Sequence, residues 1–248
     1  MHKPLLAILA VLTLVVSCSS PKEEPAKTAN APQISNDLSL GLGSSPIFRV
    51  GPGKDSTGTQ VYSFTYVTAA AVFDGNGKIV DVEIDQLEVS TPNYDGASMP
   101  HFSGWPGSPE PNLTNHETEK VDGTASTTAE AIAEEVNGWV TKRERGDDYG
   151  MNANNDWWKQ MDAWEAAFIG KTVDEVDEFY KNYTSARGRV LNPESKDAEE
   201  LKKYNSLSKK EKEVLADVRS GATMAINDAH GFSLVALRDA WEKRKPMK

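Results

Sequence analysis

Two strand-like segments joined by one tight turn constrain this chain more than any other feature. Residues 60–73 are crowded with Val, Tyr, Phe and Thr, side chains that suit a pleated strand. Asp74-Gly75-Asn76-Gly77 follows, and such a cluster marks a reversal of the chain. Residues 79–87 then alternate, with Val80, Val82 and Ile84 on one side and Asp81, Glu83 and Asp85 on the other. A period of two with one apolar face describes a half-buried antiparallel hairpin.

Helical spacing dominates further on. Thr128 ends a cluster of capping residues, after which Ala129, Ile132, Ala133, Val136 and Val140 make one apolar face. Trp157, Met161, Trp164 and Phe168 form an aromatic stripe, which at this spacing reads as core. Thr172 and Glu175 fit a capping box, with Val173, Val176, Tyr180 and Tyr183 turned inward. Ser208 and Glu211 fit another, ahead of Val214 and Leu215. Ala225, Ala229, Phe232, Ala236 and Leu237 then recur at roughly helical spacing. The fold class expected is therefore α+β: a small antiparallel sheet packed against several helices.

Between the last two helical patterns lies Asp217-Val218-Arg219-Ser220-Gly221-Ala222-Thr223. Ser220 and Gly221 read as a break between helices, with Thr223 near the start of the second. Gly221 is free to take a positive φ, and Ala222 adds no bulk. Unpaired N–H groups at a helix start suit a phosphate, so the corner is a candidate anion cradle with a hydroxyl at its tip. A plain interhelical turn is the competing reading. Arg187 and Arg189 either meet a phosphate or are solvated and salt-bridged. Residues 98–112, rich in Gly and Pro around Phe102 and Trp105, form an ordered loop. Trp105 there either stacks on a ligand ring or simply pins the loop.

Charge and composition exclude some functions. The 248 residues carry a formal net charge of -10 and contain one cysteine and four histidines. An acidic chain is a poor nucleic-acid binder. A single cysteine permits no internal disulfide, and the scattered histidines show no zinc spacing, so no metal is assigned. Residues 1–17 read as a leader: His2 and Lys3 precede an apolar run too short for a membrane span, which ends in Val15-Val16-Ser17-Cys18. That ending looks like a bacterial lipobox with lipid on Cys18, an ordinary secretory signal being the alternative. Residues 18–46 are expected to be the lipidated cysteine and a disordered tether, 47–243 the folded domain and 244–248 a frayed tail. The expected location is the extracytoplasmic face of the cell membrane, held by the lipid anchor.

The seven residues from Asp217 to Thr223 resemble the flavinylation motif of the FMN-binding domain family. That family includes the G subunit of the Rnf electron-transport complex, the C subunit of the sodium-translocating NADH:quinone reductase, and extracytoplasmic flavin lipoproteins. The resemblance implies that a separate flavin transferase attaches FMN, through its phosphate, to Thr223. Asp217, Ser220, Gly221 and Ala222 would be the recognition determinants and the phosphate surroundings. The first hairpin and Phe168-Ile169-Gly170-Lys171 are also similar to family segments. Glu88 to Tyr94 matches a Glu-Thr-Pro-Gly segment only in part, since Glu88 and Thr91 are separated and Asn93 replaces the glycine. On that basis Thr91 and Tyr94 are expected near the cofactor, a plain exit loop remaining open. Residues 98–150 do not match and read as an inserted loop and helix region.

The function implied is electron relay by covalent FMN between membrane or extracellular redox partners, such as a quinone-linked donor. No dedicated catalytic dyad is visible, which suits a carrier better than an enzyme with its own substrate. A flavin-dependent reductase of a specific acceptor is the second reading, and a non-redox binding lipoprotein the third.

Overall fold

The computed structural model describes residues 37–94, 99–115, 118–149 and 156–248, and of Pro52 only the backbone. Cys18, the leader and most of the expected tether lie outside these residues.

Three long strands carry the architecture: β1 (Ser39–Lys54), β2 (Gln60–Phe73) and β3 (Ile79–Ser90). All pair antiparallel, β2 in the middle. The β2–β3 turn closes as its composition predicts. Asp74 Oδ1 accepts from the N–H of Asn76 (2.9 Å) and Lys78 (2.8 Å), a side chain standing in for backbone within the turn. A bulge between Val72 and Phe73 shifts the register at this end, so Ile79, and not Val80, enters the core.

The strand β1 corrects the domain boundary. Residues 39–46 were expected in the tether, yet they pair with β2 from Ser39 onward. Their glycines are contact points. A Cβ on Gly41 or Gly43 would collide with the backbone of Ala236 and Ala240, so these glycines let a helix lie directly on the strand. The expected frayed tail is corrected too. The short β8 (Lys245–Pro246) pairs with Leu40 and Ser39, and Met247 N–H donates to the Leu38 carbonyl at 2.9 Å.

The sheet's inner face is covered by helices. After the small ribbon β4–β5 (Asn112–Asn115, Lys120–Thr124) come α1 (Ala129–Asn137), α2 (Lys142–Arg145), a 3-10 turn (Gly146–Tyr149) and α3 (Trp157–Phe168). Next are α4 (Val173–Tyr183), α5 (Ala198–Ser206) and α6 (Lys209–Gly221). A tight β6–β7 hairpin (Asn227–Asp228, Gly231–Phe232) leads into α7 (Ser233–Lys243). The described residues thus form an α+β fold.

The aromatic stripe of α3 is fully buried, with Met161, Trp164 and Phe168 beside Val67, Phe73 and Ile84 of the sheet and Leu237 of α7. Both expected capping boxes are present, at Thr172–Glu175 and Ser208–Glu211. Helix α1 departs from its pattern. It ends at Gly138, only Ile132 is buried, and Val136 and Val140 remain exposed. The outer face of β1 and β2 also shows apolar side chains to solvent, with Leu42, Phe48 and Val50 about two-thirds exposed.

Candidate functional site

The helix α6 does not break at Ser220-Gly221. It continues through Gly221, and Ala222 leaves it in an extended conformation. Thr223 therefore stands just beyond a helix C-terminus, not at the N-terminus the sequence suggested. Gly221 keeps a helical φ; what it supplies is closeness. A Cβ there would lie 2.5 Å from the Cβ of Ala163 on α3. Ser220 Oγ donates to the Asp217 carbonyl at 2.7 Å, a local bond within the last turn, and both residues are exposed. The recurrence of Ala225, Ala229 and Phe232 is not helical either. The turn around Asp228 to Gly231 forms β6–β7, and Asn227 Oδ1 accepts from Leu234 N–H to start α7.

Beyond α6 the chain is strapped to α3 by two side chains, Gln160 and Trp164. Gln160 is fully buried. Its Oε1 accepts from Thr223 N–H (2.9 Å), Met224 N–H (3.0 Å) and Thr223 Oγ1 (3.3 Å). One turn along, Trp164 Nε1 donates to the Met224 carbonyl at 3.3 Å. The stripe thus has a second task besides filling the core: it fixes the strap that carries Thr223. Ala222 and Met224 point inward and are buried, while Thr223 between them is exposed, the alternation of an extended segment.

Thr223 opens onto a cavity of about 1580 Å³ whose walls come from α4, α5, the end of α6 and the β6–β7 turn. Its floor includes a loop held rigidly. Thr184 bridges Val190, Ser185 N–H donates to Arg189 O, and Gly188 N–H donates to Ser185 O. Gly188 sits at φ 72°, and its carbonyl accepts from the Tyr180 hydroxyl at 2.9 Å. Burial pushes that hydroxyl's pKa up to about 12, so it stays a donor. This loop places Arg187 and Arg189 in the cavity wall, where Arg219 of α6 joins them. Among the described residues none of the three is within ion-pair distance of a carboxylate. Nη1 of Arg219 is buried with no hydrogen-bond partner. Two of the cavity's carboxylates are already engaged: Asp197 caps α5, and Glu200 accepts from Asn192 N–H and Ser195 Oγ.

Thr91 and Tyr94 are not brought to this cavity. Thr91 Oγ1 accepts from Tyr62 N–H at 3.0 Å, and Tyr94 N–H donates to the Thr91 carbonyl, so the segment serves as the exit turn of β3. Trp105 is 72% exposed and packs edge-on against Phe102, away from the cavity wall.

Sequence reasoning missed Gln160, which looks like one more polar residue on the side of α3, and also a buried ion pair. Lys142 Nζ lies 2.9 Å from Glu88 Oε2 and donates to Gln86 Oε1 at 3.1 Å, with both charged side chains almost inaccessible. Burial opposes charge on each. For Lys142 that pull is outweighed by Tyr149 and Glu88, which hold the ammonium's pKa above its ordinary value. For Glu88 it is outweighed chiefly by Lys142, which holds the carboxyl below its own. The signal available in sequence was a lysine opening a four-residue helix, too common to single out.

No family model matches the chain, and no solved structure matches it. A chlorophenol reductase of Desulfitobacterium hafniense is 36% identical over 190 residues, covering 73% of this chain and 51% of that protein. The chain spans about half the length of that curated relative.

Proposed function

We propose that this chain is a covalently flavinylated electron carrier of the FMN-binding kind, bearing FMN on Thr223 through a phosphoester. The observation that carries this is the placement of Thr223: an exposed hydroxyl on a strap pinned by Gln160, opening onto a cavity of about 1580 Å³. Small-molecule pockets run to roughly 300–1,000 Å³, so a flavin mononucleotide fits with room beside it. Arg219, whose Nη1 is buried without a partner, and the two loop arginines fit a phosphate.

The flavin supplies one- and two-electron chemistry when bound. The chain's residues hold and orient it. Gln160 fixes where the Thr223 oxygen stands, and the cavity wall sets how much of the ligand meets solvent. A separate flavin transferase makes the bond. Cys18 carries lipid and holds the domain at the extracytoplasmic face, within reach of a membrane redox partner such as a quinone-linked donor. Covalent attachment suits that location, because a dissociable cofactor is occupied only in proportion to its free concentration.

A second reading, a flavin-dependent reductase with its own acceptor, is favoured by the name of the relative, a chlorophenol reductase. Turnover of a small acceptor by the purified flavinylated protein without any partner distinguishes it from a carrier.

Co-expression with a flavin transferase, followed by intact mass and peptide mapping, tests the proposal. The expected result is one FMN on the peptide containing Thr223, lost in Thr223→Ala while the fold is kept. An unmodified Thr223, or flavin that persists in Thr223→Ala, overturns it.

A further inference from the structure

The backbone amides that a phosphate at Thr223 would ordinarily use are taken. Thr223 N–H and Met224 N–H both donate to Gln160 Oε1. The nearest helix end is also the wrong one. Thr223 follows the C-terminus of α6, whose partial charge of about −0.5 repels an anion. A dianionic phosphate beside Thr223 must therefore be held by side chains.

The side chains are in place. Arg187 and Arg189 project from a loop fixed by the Tyr180 hydroxyl and by the Thr184–Val190 bridge. Arg219 lines the same cavity four residues before Thr223, with Nη1 buried and unpartnered. The cavity wall holds more Lys and Arg than Asp and Glu, in a chain whose formal net charge is -10. Burial lowers the pKa of Lys203 in that wall, and its ammonium is occupied by the carbonyls of Lys181 and Thr184. Lys181, Lys196 and Lys202 line the wall as well, but an ammonium acts as a point charge, whereas a guanidinium grips a phosphate through two parallel N–H bonds, so the arginines are the donors that can orient an incoming anion.

We propose that Arg187, Arg189 and Arg219 form a phosphate subsite that seats FMN non-covalently beside Thr223, so that the unmodified chain selects FMN over riboflavin. The identity of the ligand rests on the function proposed above; the subsite rests on the cavity and its unpaired arginines.

The test uses the full chain made without a transferase, as Thr223→Ala, so that no ester forms. Flavin fluorescence quenching is measured for FMN and for riboflavin, with inorganic phosphate as competitor. FMN is expected to bind roughly ten- to a hundredfold more tightly than riboflavin, the range that charge-assisted hydrogen bonds supply. Phosphate should displace FMN only. The triple variant Arg187→Gln, Arg189→Gln, Arg219→Gln should bring FMN down to riboflavin's level with an unchanged circular dichroism spectrum. Equal binding of the two flavins, no measurable FMN binding, or a preference that survives in the triple variant would each overturn the subsite. An FMN preference in a protein that a transferase never modifies would sink the proposed function and leave the subsite standing. Full flavinylation of Thr223 without any FMN preference would do the reverse.

Discussion

Replacing Gln160 by Leu isolates the strap. The substitution nearly preserves volume and removes the side-chain amide, whose oxygen is the acceptor that holds the strap. That acceptor serves two backbone donors, Met224 N–H at 3.0 Å and Thr223 N–H at 2.9 Å, so it must be the amide oxygen. The Met224 bond is buried, and leaving its N–H unpaired costs about 1–3 kcal/mol. The Thr223 bond is only part-buried, so water partly replaces it and the loss is about 0.5–1.5 kcal/mol. Together about 1.5–4.5 kcal/mol is at stake. For a domain of this size about 2–4 °C of melting temperature accompanies each kcal/mol, so Gln160→Leu should melt roughly 3–18 °C lower. Thr223→Ala is the control, removing only the 3.3 Å hydroxyl contact, and should melt within about 2 °C of the parent. Circular dichroism melts read both. Mass spectrometry after co-expression should show reduced flavin occupancy in Gln160→Leu, because the acceptor hydroxyl is no longer fixed. A Gln160→Leu protein that melts with the parent would refute the strap, whatever its flavin content.

Gly221→Ala should destabilise by about 1–3 kcal/mol through overpacking against Ala163, although alanine in an open helix gains about 1 kcal/mol over glycine. Ala163→Gly should restore much of the loss, and a urea titration in which the double variant is no better than the single one would refute the contact. Lys142→Met leaves the buried Glu88 carboxylate with only the longer Arg49 contact at 3.6 Å and should cost up to about 3–5 kcal/mol, with Glu88→Gln on the same chain recovering most of it. Burial pushes Glu165 up to about 7 from 4.5, against the pull of Arg143 and the Ile84 N–H. A folded pKa above the unfolded one stabilises fully below about pH 4.5 and fades as the pH rises through 7, so stability should fall by about 3 kcal/mol across that window. Glu165→Gln should flatten this profile in urea titrations at pH 5 and 8, and an unchanged slope would show that Glu165 is ionised throughout.

The sequence disclosed those parts of the fold that rest on local chemistry. The β2–β3 hairpin was readable because Asp74 to Gly77 can only turn and because its strands alternate. The starts of α4 and α6 were readable from Thr172–Glu175 and Ser208–Glu211, whose capping bonds span three residues. What escaped depends on partners distant in the chain. Gly41 and Gly43 look like tether until α7, some 195 residues later, lies against them. Gly221 looks like a helix break until Ala163 is opposite it. Thr223 stands out in sequence only through its resemblance to a motif, and the Gln160 that anchors its backbone is 63 residues away and carries no local mark. Arg187, Arg189 and Arg219 were separate surface charges until the loop, α6 and the cavity brought them together. Thr91 and Tyr94 were singled out by a partial motif alone, and the hydrogen bonds around Tyr62 place them in an exit turn away from the Thr223 cavity.

The pairing of Ser39 with Pro246 brings the first and last strands side by side at one sheet edge. Chain entering at Leu38 and chain leaving at Met247 are joined there by a backbone hydrogen bond of 2.9 Å. A leash on one side and further polypeptide on the other would depart from a common doorway, and neither would have to wrap the body of the domain. The same unit can thus hang from a single point or be spliced into a longer polypeptide without rethreading the sheet.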